Sequence, residues 1–390
     1  MRALVVAEFY PRADDPVLGV WAHEQAKAAR DAGAQIEVAV LQRVIPPAAT
    51  PRTQMAPAAL KLARHPRRLQ LDGITVTYVP FASPPRWRSY GSWGAWAAPP
   101  LALALKLIRR RFAYDVVHAH NAVPAADALL RARERAPLVI SEHGADIFHT
   151  AVEHEAGRRA AAAAFARARI VLANSAGIAD AARELGAQTT RVVHLGTDLP
   201  GAPEQRHEGL TLATVAHLVA RKRHADVLRA IWLLRERRPG IRYHVIGDGP
   251  ERGALEALAA ELGLRERVRF HGQLEHAGAV REARRCSLFV MPSVDEAFGV
   301  AYVEAMAGRV PAIGALGEPG PAEIVAAGGG LRQVAPGDVT ALADAIAEMT
   351  HDTRTLTELG IEARATVERA FTWPACGAAT LTAYEDAVRT

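Results

Sequence analysis

ALVVAEF (residues 3–9), WAHEQAKAARDAG (21–33) and AQIEVAVLQ (34–42) open the chain as an apolar run, an Ala-rich charged run and a second apolar run. The apolar runs are short and β-branched and show no alternation, so both faces of each strand are expected to be buried. Strand, helix, strand is the unit of a parallel sheet covered by helices on both sides. The pattern continues through DVVHAH (115–120), PLVISEHG (137–144), ARIVLANS (168–175) and TRVVHLGTD (190–198). It pauses at DLPGAPEQRHEG (198–209), whose Pro, Gly and charge read as a linker. It restarts with LTLATVAHL, RYHVIGDG, VRFHGQL, CSLFVMPS and VPAIGA. We therefore expect an α/β protein of two doubly wound, Rossmann-like domains, residues 1–200 and 201–372. A terminal helix over 373–390 is expected to cross back to the first domain. Ligands of such sheets bind at the carboxyl ends of the strands, and with two domains the cleft between them is the default site.

The totals agree. A chain of 390 residues has room for two or three domains of about 150 residues. Half its residues are apolar and 23% are charged, the balance of a globular protein that needs no disulfides to hold a core. Its two cysteines, Cys286 and Cys376, are far apart and have no His or Cys at ligand spacing. That argues against a disulfide scaffold or a zinc knuckle and fits a reducing compartment. The start, MRALVVAEFYP, reads as a first strand rather than a signal peptide, and no apolar run is long enough to span a membrane. A cytoplasmic protein is expected. The net charge of +5 suits phosphate-bearing ligands or an anionic membrane surface, and no nucleic-acid motif appears.

Residues 86–112, RWRSYGSWGAWAAPPLALALKLIRRRF, interleave Trp87, Trp93 and Trp96 with arginines. That pattern suits peripheral contact with a membrane interface. The plainer expectation is a surface loop followed by a buried helix over 99–112.

DEAFGVAYVEAMAG (295–308) sets Glu296 and Glu304 on either side of a corner from strand to helix. The helix is expected to open at about Val300, where free N–H groups hold anions, and Gly299 lets a phosphate or sugar approach the backbone. Glu304, about one turn into the helix, is placed to accept the hydroxyls of a ribose. The competing expectation is that Glu296 is a helix cap and Glu304 a solvated helix residue. GDGPERG (247–253) imitates a dinucleotide loop at the wrong spacing and reads as a turn. GGG (328–330) reads as a loop. His118 and His120 are expected to face opposite sides of their strand, with His120 the functional one. The pair Asp14–Asp15 lacks a preceding strand end suited to holding a metal, so metal-free chemistry is favoured and no cofactor is expected.

EAFGVAYVEAMAG (296–308) resembles the E-x7-E signature of retaining GT-B glycosyltransferases of family 4. VLGVWAHEQAKAARDAG, DVVHAHN, SEHGADIF, VVHLGTDL, VAHLVARKRH, HVIGDGPER, RFHGQL and MPSVDEAFG resemble successive stretches of that family in order, over nearly the whole chain. The resemblance implies a GT-B fold, two Rossmann-like domains facing a central cleft. It implies transfer of a sugar from a nucleoside diphosphate sugar to an acceptor hydroxyl, retaining and without metal, with UDP slightly favoured over GDP. His120 and Glu296 would be catalytic, His120 near the reacting carbon and Glu296 positioning the donor. Gly19, His217, Lys222, Phe298, Gly299 and Val300 would hold the diphosphate and sugar, and Glu304 the ribose. His143 and Asp146 would line the acceptor side.

Where the family has Arg, five residues before Lys222, this chain has His217, and Arg221 or Arg223 is an alternative source of that charge. The acceptor is left open among a lipid carrier, a polysaccharide and a small metabolite. Three further readings stay open: a non-hydrolysing sugar-nucleotide 2-epimerase of the same fold, a two-lobed sugar-binding protein, and a degenerate transferase serving as a partner subunit.

Overall fold

The computed structural model describes residues 1–12, 15–46 and 50–389, so Asp14 of the acidic pair lies outside the described residues. The chain forms two compact units: Met1–His194 with the segment from Pro374, and Leu195–Trp373.

The strands of the first unit are β1 (Arg2–Ala7), β2 (Gln35–Arg43), β3 (Arg68–Leu71), β4 (Ile74–Phe81), β5 (Val116–His120), β6 (Leu138–Glu142), β7 (Ile170–Ala173) and β8 (Thr190–Val192). They form one sheet in the order β3-β4-β2-β1-β5-β6-β7-β8. The pairing is parallel except between β3 and β4, which form an antiparallel hairpin through Asp72 and Gly73. Both turn residues have positive φ, 47° and 78°, as a tight Asp-Gly hairpin turn requires. The order reverses between β1 and β5, so the carboxyl ends of those strands, at Glu8 and His120, flank the crevice where ligands of such sheets bind. β5, β6 and β7 are buried along their whole length, which is why their sequences carry no alternation.

The helix Trp373–Arg389 packs on the first unit. Gln25 Nε2 donates to Thr380 Oγ1 at 3.1 Å, Arg191 pairs with Asp386 at 2.6 Å, and Tyr384 Oη lies 2.7 Å from His118 Nδ1. His118 Nε2 is 2.8 Å from Ser141 Oγ, so both ring nitrogens are used within the fold. The two histidines do not face opposite sides of the sheet: their ring centroids are 4.7 Å apart. Residues two apart on a strand share a face, so only odd separations would divide them.

The 86–112 region also departs from expectation. A short helix, Arg86–Ser89, precedes a continuous helix Trp93–Arg111, which starts six residues before Pro99 and carries both prolines inside it. Trp93, Ala97, Leu101, Leu105 and Ile108 recur on one buried stripe, and that burial outweighs the N–H groups lost at Pro99 and Pro100.

The second unit contains β9 (Thr211–Val215), β10 (Arg242–Ile246), β11 (Val268–Gly272), β12 (Leu288–Met291), β13 (Ala312–Ala315) and β14 (Leu331–Val334). They form a wholly parallel sheet in the order β11-β10-β9-β12-β13-β14. Phe289 on β12 is in register with Ala213 on one side and Ala312 on the other, and small neighbours leave room for its ring. The order reverses between β9 and β12. Their carboxyl ends lead into the loops that carry Lys222 and Glu296. GDGPERG turns from β10 into the helix Arg252–Glu261, and 328–330 is a loop before β14.

Burial, with the neighbouring His143, pushes the His118 imidazole down to about 3. The unfolded chain takes a proton there at about pH 6.5 and the folded one refuses it. The stabilisation from neutral His118 is therefore complete above pH 6.5 and is lost as pH falls toward 3. The stability advantage of wild type over His118→Gln should shrink by about 1.4 kcal/mol per pH unit below pH 6, read by urea unfolding at each pH. An advantage independent of pH would show that the imidazole titrates in the folded state as it does in water.

Candidate functional site

In the second unit a one-turn helix, Ala220–Lys222, follows β9, and the loop after β12 runs from Pro292 to Gly299. The two loops are stitched together: Val294 N–H donates to the Arg221 carbonyl at 2.9 Å, and Arg221 Nη1 donates to the Asp295 carbonyl at 3.2 Å. This brings Lys222 Nζ to 2.5 Å from Glu296 Oε2, and Ser293 Oγ donates to the same oxygen at 2.8 Å. Both members of the pair are buried. Burial alone would push the Glu296 carboxyl up. The charge of Lys222 and these hydrogen bonds outweigh burial and hold it below the usual carboxylate range. Its main chain is fixed as well, with the N–H donating to Glu318 Oε2 at 2.8 Å and the carbonyl accepting from Gly320 at 3.0 Å.

Gly299 makes the corner. Its φ is 78°, and a Cβ there would lie 2.5 Å from the Tyr302 ring. It caps the helix Val300–Ala307 with no side-chain hydrogen bond to the first turn, so the initial N–H groups are left for another acceptor. Phe298 is buried with its ring tilted at 60° to that of Phe371, centroids 5.6 Å apart, leaving its backbone as the group it offers to a ligand. Glu304 is neither solvated nor unpaired: it is buried, with Oε1 2.7 Å from His276 Nε2. His217 is exposed in the loop after β9, with its carbonyl accepting from Val219 at 2.9 Å. Arg223 is committed to Asp226 at 2.6 Å. Arg221, whose charge reaches Glu296, is the arginine that faces the pair.

In the first unit Gly19 plays a similar part at the start of the helix Val20–Asp31. Its φ is 65°, it makes no side-chain cap, and a Cβ would lie 2.2 Å from the Phe9 carbonyl carbon. His120 Nδ1 lies 2.9 Å from His143 Nε2, with the rings nearly parallel. Burial pushes His143 down to about 4 and His120 well below its ordinary value, so both are neutral imidazoles at neutral pH. Asp146 Oδ2 accepts the N–H groups of Ala122 at 2.6 Å and Val123 at 3.0 Å, which places it behind the loop as a support. Burial raises both Asp146 and its neighbour Glu142, which favours a proton shared between them. His120 Nε2 and His143 Nδ1 are buried and have no hydrogen-bond partner among the described residues. Such a group of unsatisfied atoms is expected where a polar ligand or ordered water completes the set.

Sequence reading passed over several of these partners. Ser293, His276 and Glu318 carry no local pattern and reach the site through the fold. Glu8, at the end of β1, accepts from Tyr90 Oη at 2.7 Å and pairs with Arg86 at 3.2 Å, with the Arg86 guanidinium 3.8 Å above the Tyr90 ring. The aromatic and basic residues of 86–93 were the available signal for that cluster.

The Lys222–Glu296 pair makes a direct test of the electrostatics. Lys222→Met leaves a buried carboxylate alone and should cost about 3–5 kcal/mol of stability. Adding Glu296→Gln to that variant should recover part of the loss, both read by urea unfolding. Additive losses would show that the two charges are not coupled.

Residues 18–200 match Glycosyltransferase Family 4, and residues 199–366 match Glycosyl transferases group 1. The chain is 33% identical to D-inositol 3-phosphate glycosyltransferase 1 of Catenulispora acidiphila over 63% of its own length and 65% of that protein's. It is 33% identical to an exopolysaccharide phosphotransferase of Streptomyces coelicolor over 46% of its length, but spans only 19% of that protein. Identity to the glycogen synthase of Mycobacterium tuberculosis is 27%, over all of this chain and 95% of that one. Among solved structures, sucrose-phosphate synthase from Thermosynechococcus elongatus superposes with a TM-score of 0.79 at 18% identity, covering 99% of this chain and 98% of that one. Anabaena HepE, solved in complex with UDP and glucose, gives 0.71 at 22% identity, covering 98% and 100%. With each half matched to a glycosyltransferase domain and the two-sheet fold shared along the whole length, the chain belongs to the glycosyltransferases of GT-B fold.

Proposed function

We propose that the protein transfers a glycosyl group from a nucleoside diphosphate sugar, UDP favoured over GDP, to an acceptor hydroxyl with retention of configuration. The observation that carries this reading is the buried Lys222–Glu296 pair beside the uncapped helix start at Gly299, where the second sheet reverses its order. As the glycosidic bond breaks, negative charge grows on the leaving diphosphate. Lys222, Arg221 and the N–H groups after Gly299 supply preorganised positive charge there without need of a metal. Glu296 is already charge-paired with Lys222 and hydrogen-bonded by Ser293, and so is a poor nucleophile. It orients sugar hydroxyls instead. Attack then comes from the face the leaving group departs, and a phosphate oxygen takes the acceptor proton.

Glu304 accepts the ribose hydroxyls in exchange for His276. In the first unit His120 and His143 are the neutral imidazoles on offer to a sugar or acceptor hydroxyl, and Asp146 holds the loop after β5. The solved complex of HepE with UDP and glucose, together with relatives that act on inositol phosphate and glycogen, supports the donor class and leaves the acceptor wide.

The test is titration calorimetry with UDP, GDP and UMP. Wild type should bind a nucleoside diphosphate, and Glu304→Gln should weaken it about tenfold through the ribose contact. No binding of either diphosphate by wild type would overturn the function. Equal affinity in the variant would remove the ribose role alone.

The acceptor is proposed to be lipid-linked or a polysaccharide met at a membrane surface. No helix among the described residues is long and apolar enough to cross a membrane. The outer face of Trp93–Arg111 nevertheless leaves Trp96, Leu103 and Leu107 exposed beside Lys106 and Arg110, with Trp87 71% exposed nearby. An apolar stripe flanked by basic groups suits peripheral binding to anionic lipid. Wild type should sediment with phosphatidylglycerol vesicles and the Trp96→Ser, Leu103→Ser double variant should not. A wild type that stays in the supernatant removes this contact.

A further inference from the structure

The second unit holds a group of side chains that the transferase reading does not use. His207 lies in the linker before β9, His244 on β10, His271 on β11, and Glu282 on the helix His276–Arg285, with Cys286 just beyond it. His207 and Cys286 precede the amino ends of β9 and β12. Lys222 and Glu296 follow the carboxyl ends of the same two strands, so the group belongs to the other end of that pair of strands.

The ligand-competent atoms crowd one carboxylate oxygen. His244 Nδ1 is 2.8 Å and His207 Nε2 is 2.9 Å from Glu282 Oε1. His271 Nε2 lies 3.2 Å from His244 Nδ1 and 3.6 Å from the same oxygen. A tetrahedral zinc ion with bonds of about 2.0–2.1 Å separates neighbouring ligand atoms by roughly 3.3 Å. The three separations among His244, His271 and Glu282 straddle that value. The atoms of His207, His244 and Cys286 also lie within 4.8 Å of one another.

Hydrogen bonding alone satisfies the group poorly. If Nδ1–H of His244 donates to Glu282, that nitrogen has no lone pair left for a proton from His271. If His271 gives the proton, Glu282 loses His244 as a donor. With both rings protonated, His244 Nδ1–H and His271 Nε2–H would face each other at 3.2 Å, so adding protons does not relieve the conflict. A cation at the centre does, because each imidazole then turns a lone pair inward.

We propose that His207, His244, His271 and Glu282 form a site for a borderline transition-metal ion of the zinc class. Cys286 is at hand as a further ligand. Its thiol donates to the Glu282 carbonyl at 3.4 Å, and metal binding would displace that proton. The donor set selects against magnesium and calcium, which want oxygen ligands. The ion would cross-link the linker, two strands and a helix.

The test uses the full chain, stripped with EDTA, incubated with zinc sulfate and passed through gel filtration. Wild type should retain about one equivalent of zinc by elemental analysis, and its melting temperature should rise with added zinc. Glu282→Gln and His271→Ala should each weaken retention at least about tenfold, with folding checked by circular dichroism. If Glu282→Gln does not fold, His271→Ala decides. His65→Ala, which removes an imidazole of the first unit, should keep the full equivalent. A wild type that retains less than about a tenth of an equivalent, or a folded His271→Ala that retains as much as wild type, overturns the site.

Discussion

The second unit turns on one buried ion pair. Lys222 and Glu296 each sit at the carboxyl end of a central strand, and neither charge is stable in that place alone. A lone carboxylate there would take up a proton. A lone ammonium would draw the loop toward water. Together they hold the two loops of the sheet reversal against each other, and the backbone bond from Val294 to Arg221 completes the joint. The pair also fixes the Lys222 ammonium in the loop that faces the loop leading to Gly299. On the proposed function, an incoming diphosphate would share Lys222 with Glu296 and would not need to recruit a cation from solvent. Ser293 and the doubly bonded main chain of Glu296 keep the acid in place while the lysine is shared.

Both units solve the same local problem in the same way. A strand must end, and a helix must begin, with its first N–H groups left uncapped. A capping side chain would satisfy those groups and occupy the space. Gly19 and Gly299 have positive φ and no side chain, and any Cβ at either place would collide, with the Phe9 carbonyl or the Tyr302 ring. Contrast Asp338 and Asp352, which cap the helices Val339–Met349 and Thr353–Ala370 with their own carboxylates at 2.8 and 2.7 Å. Those helix starts are closed, whereas the two glycine starts are open to anions.

This contrast explains what could be read from the chain. Central strands buried on both faces leave an unmistakable apolar run, so β1, β5, β6 and β12 were legible, and with them the alternation that makes two doubly wound sheets. The acids and glycine of 295–308 were legible because a corner from strand to helix is local. The hairpin of β3 and β4 was not read, although Asp72–Gly73 announces it, because edge strands are short and half-exposed. The helix over 93–111 was started too late because Pro99–Pro100 marks a helix start only when tertiary burial does not extend the helix past it. His276 beside Glu304, Glu318 beneath Glu296 and the histidines around Glu282 are brought in by sheet order, which no single stretch encodes.

The partner of Glu304 sharpens the reading of that acid. A buried carboxylate normally pays for its desolvation through a fixed cation, as Glu296 does. Glu304 feels the charge of buried Arg284, which bonds its carbonyl at 2.9 Å, but its carboxylate hydrogen-bonds a histidine whose side chain is 43% exposed, at 2.7 Å. Such a partner costs little to displace, since water can receive the imidazole when it leaves. Two vicinal hydroxyls arriving at Glu304 would then replace one charge-assisted bond with two, and the acid would never stand unpaired. A carboxylate kept ready by a weakly held partner is suited to a ligand that comes and goes. One clamped by a buried lysine is suited to a part of the site that must not move.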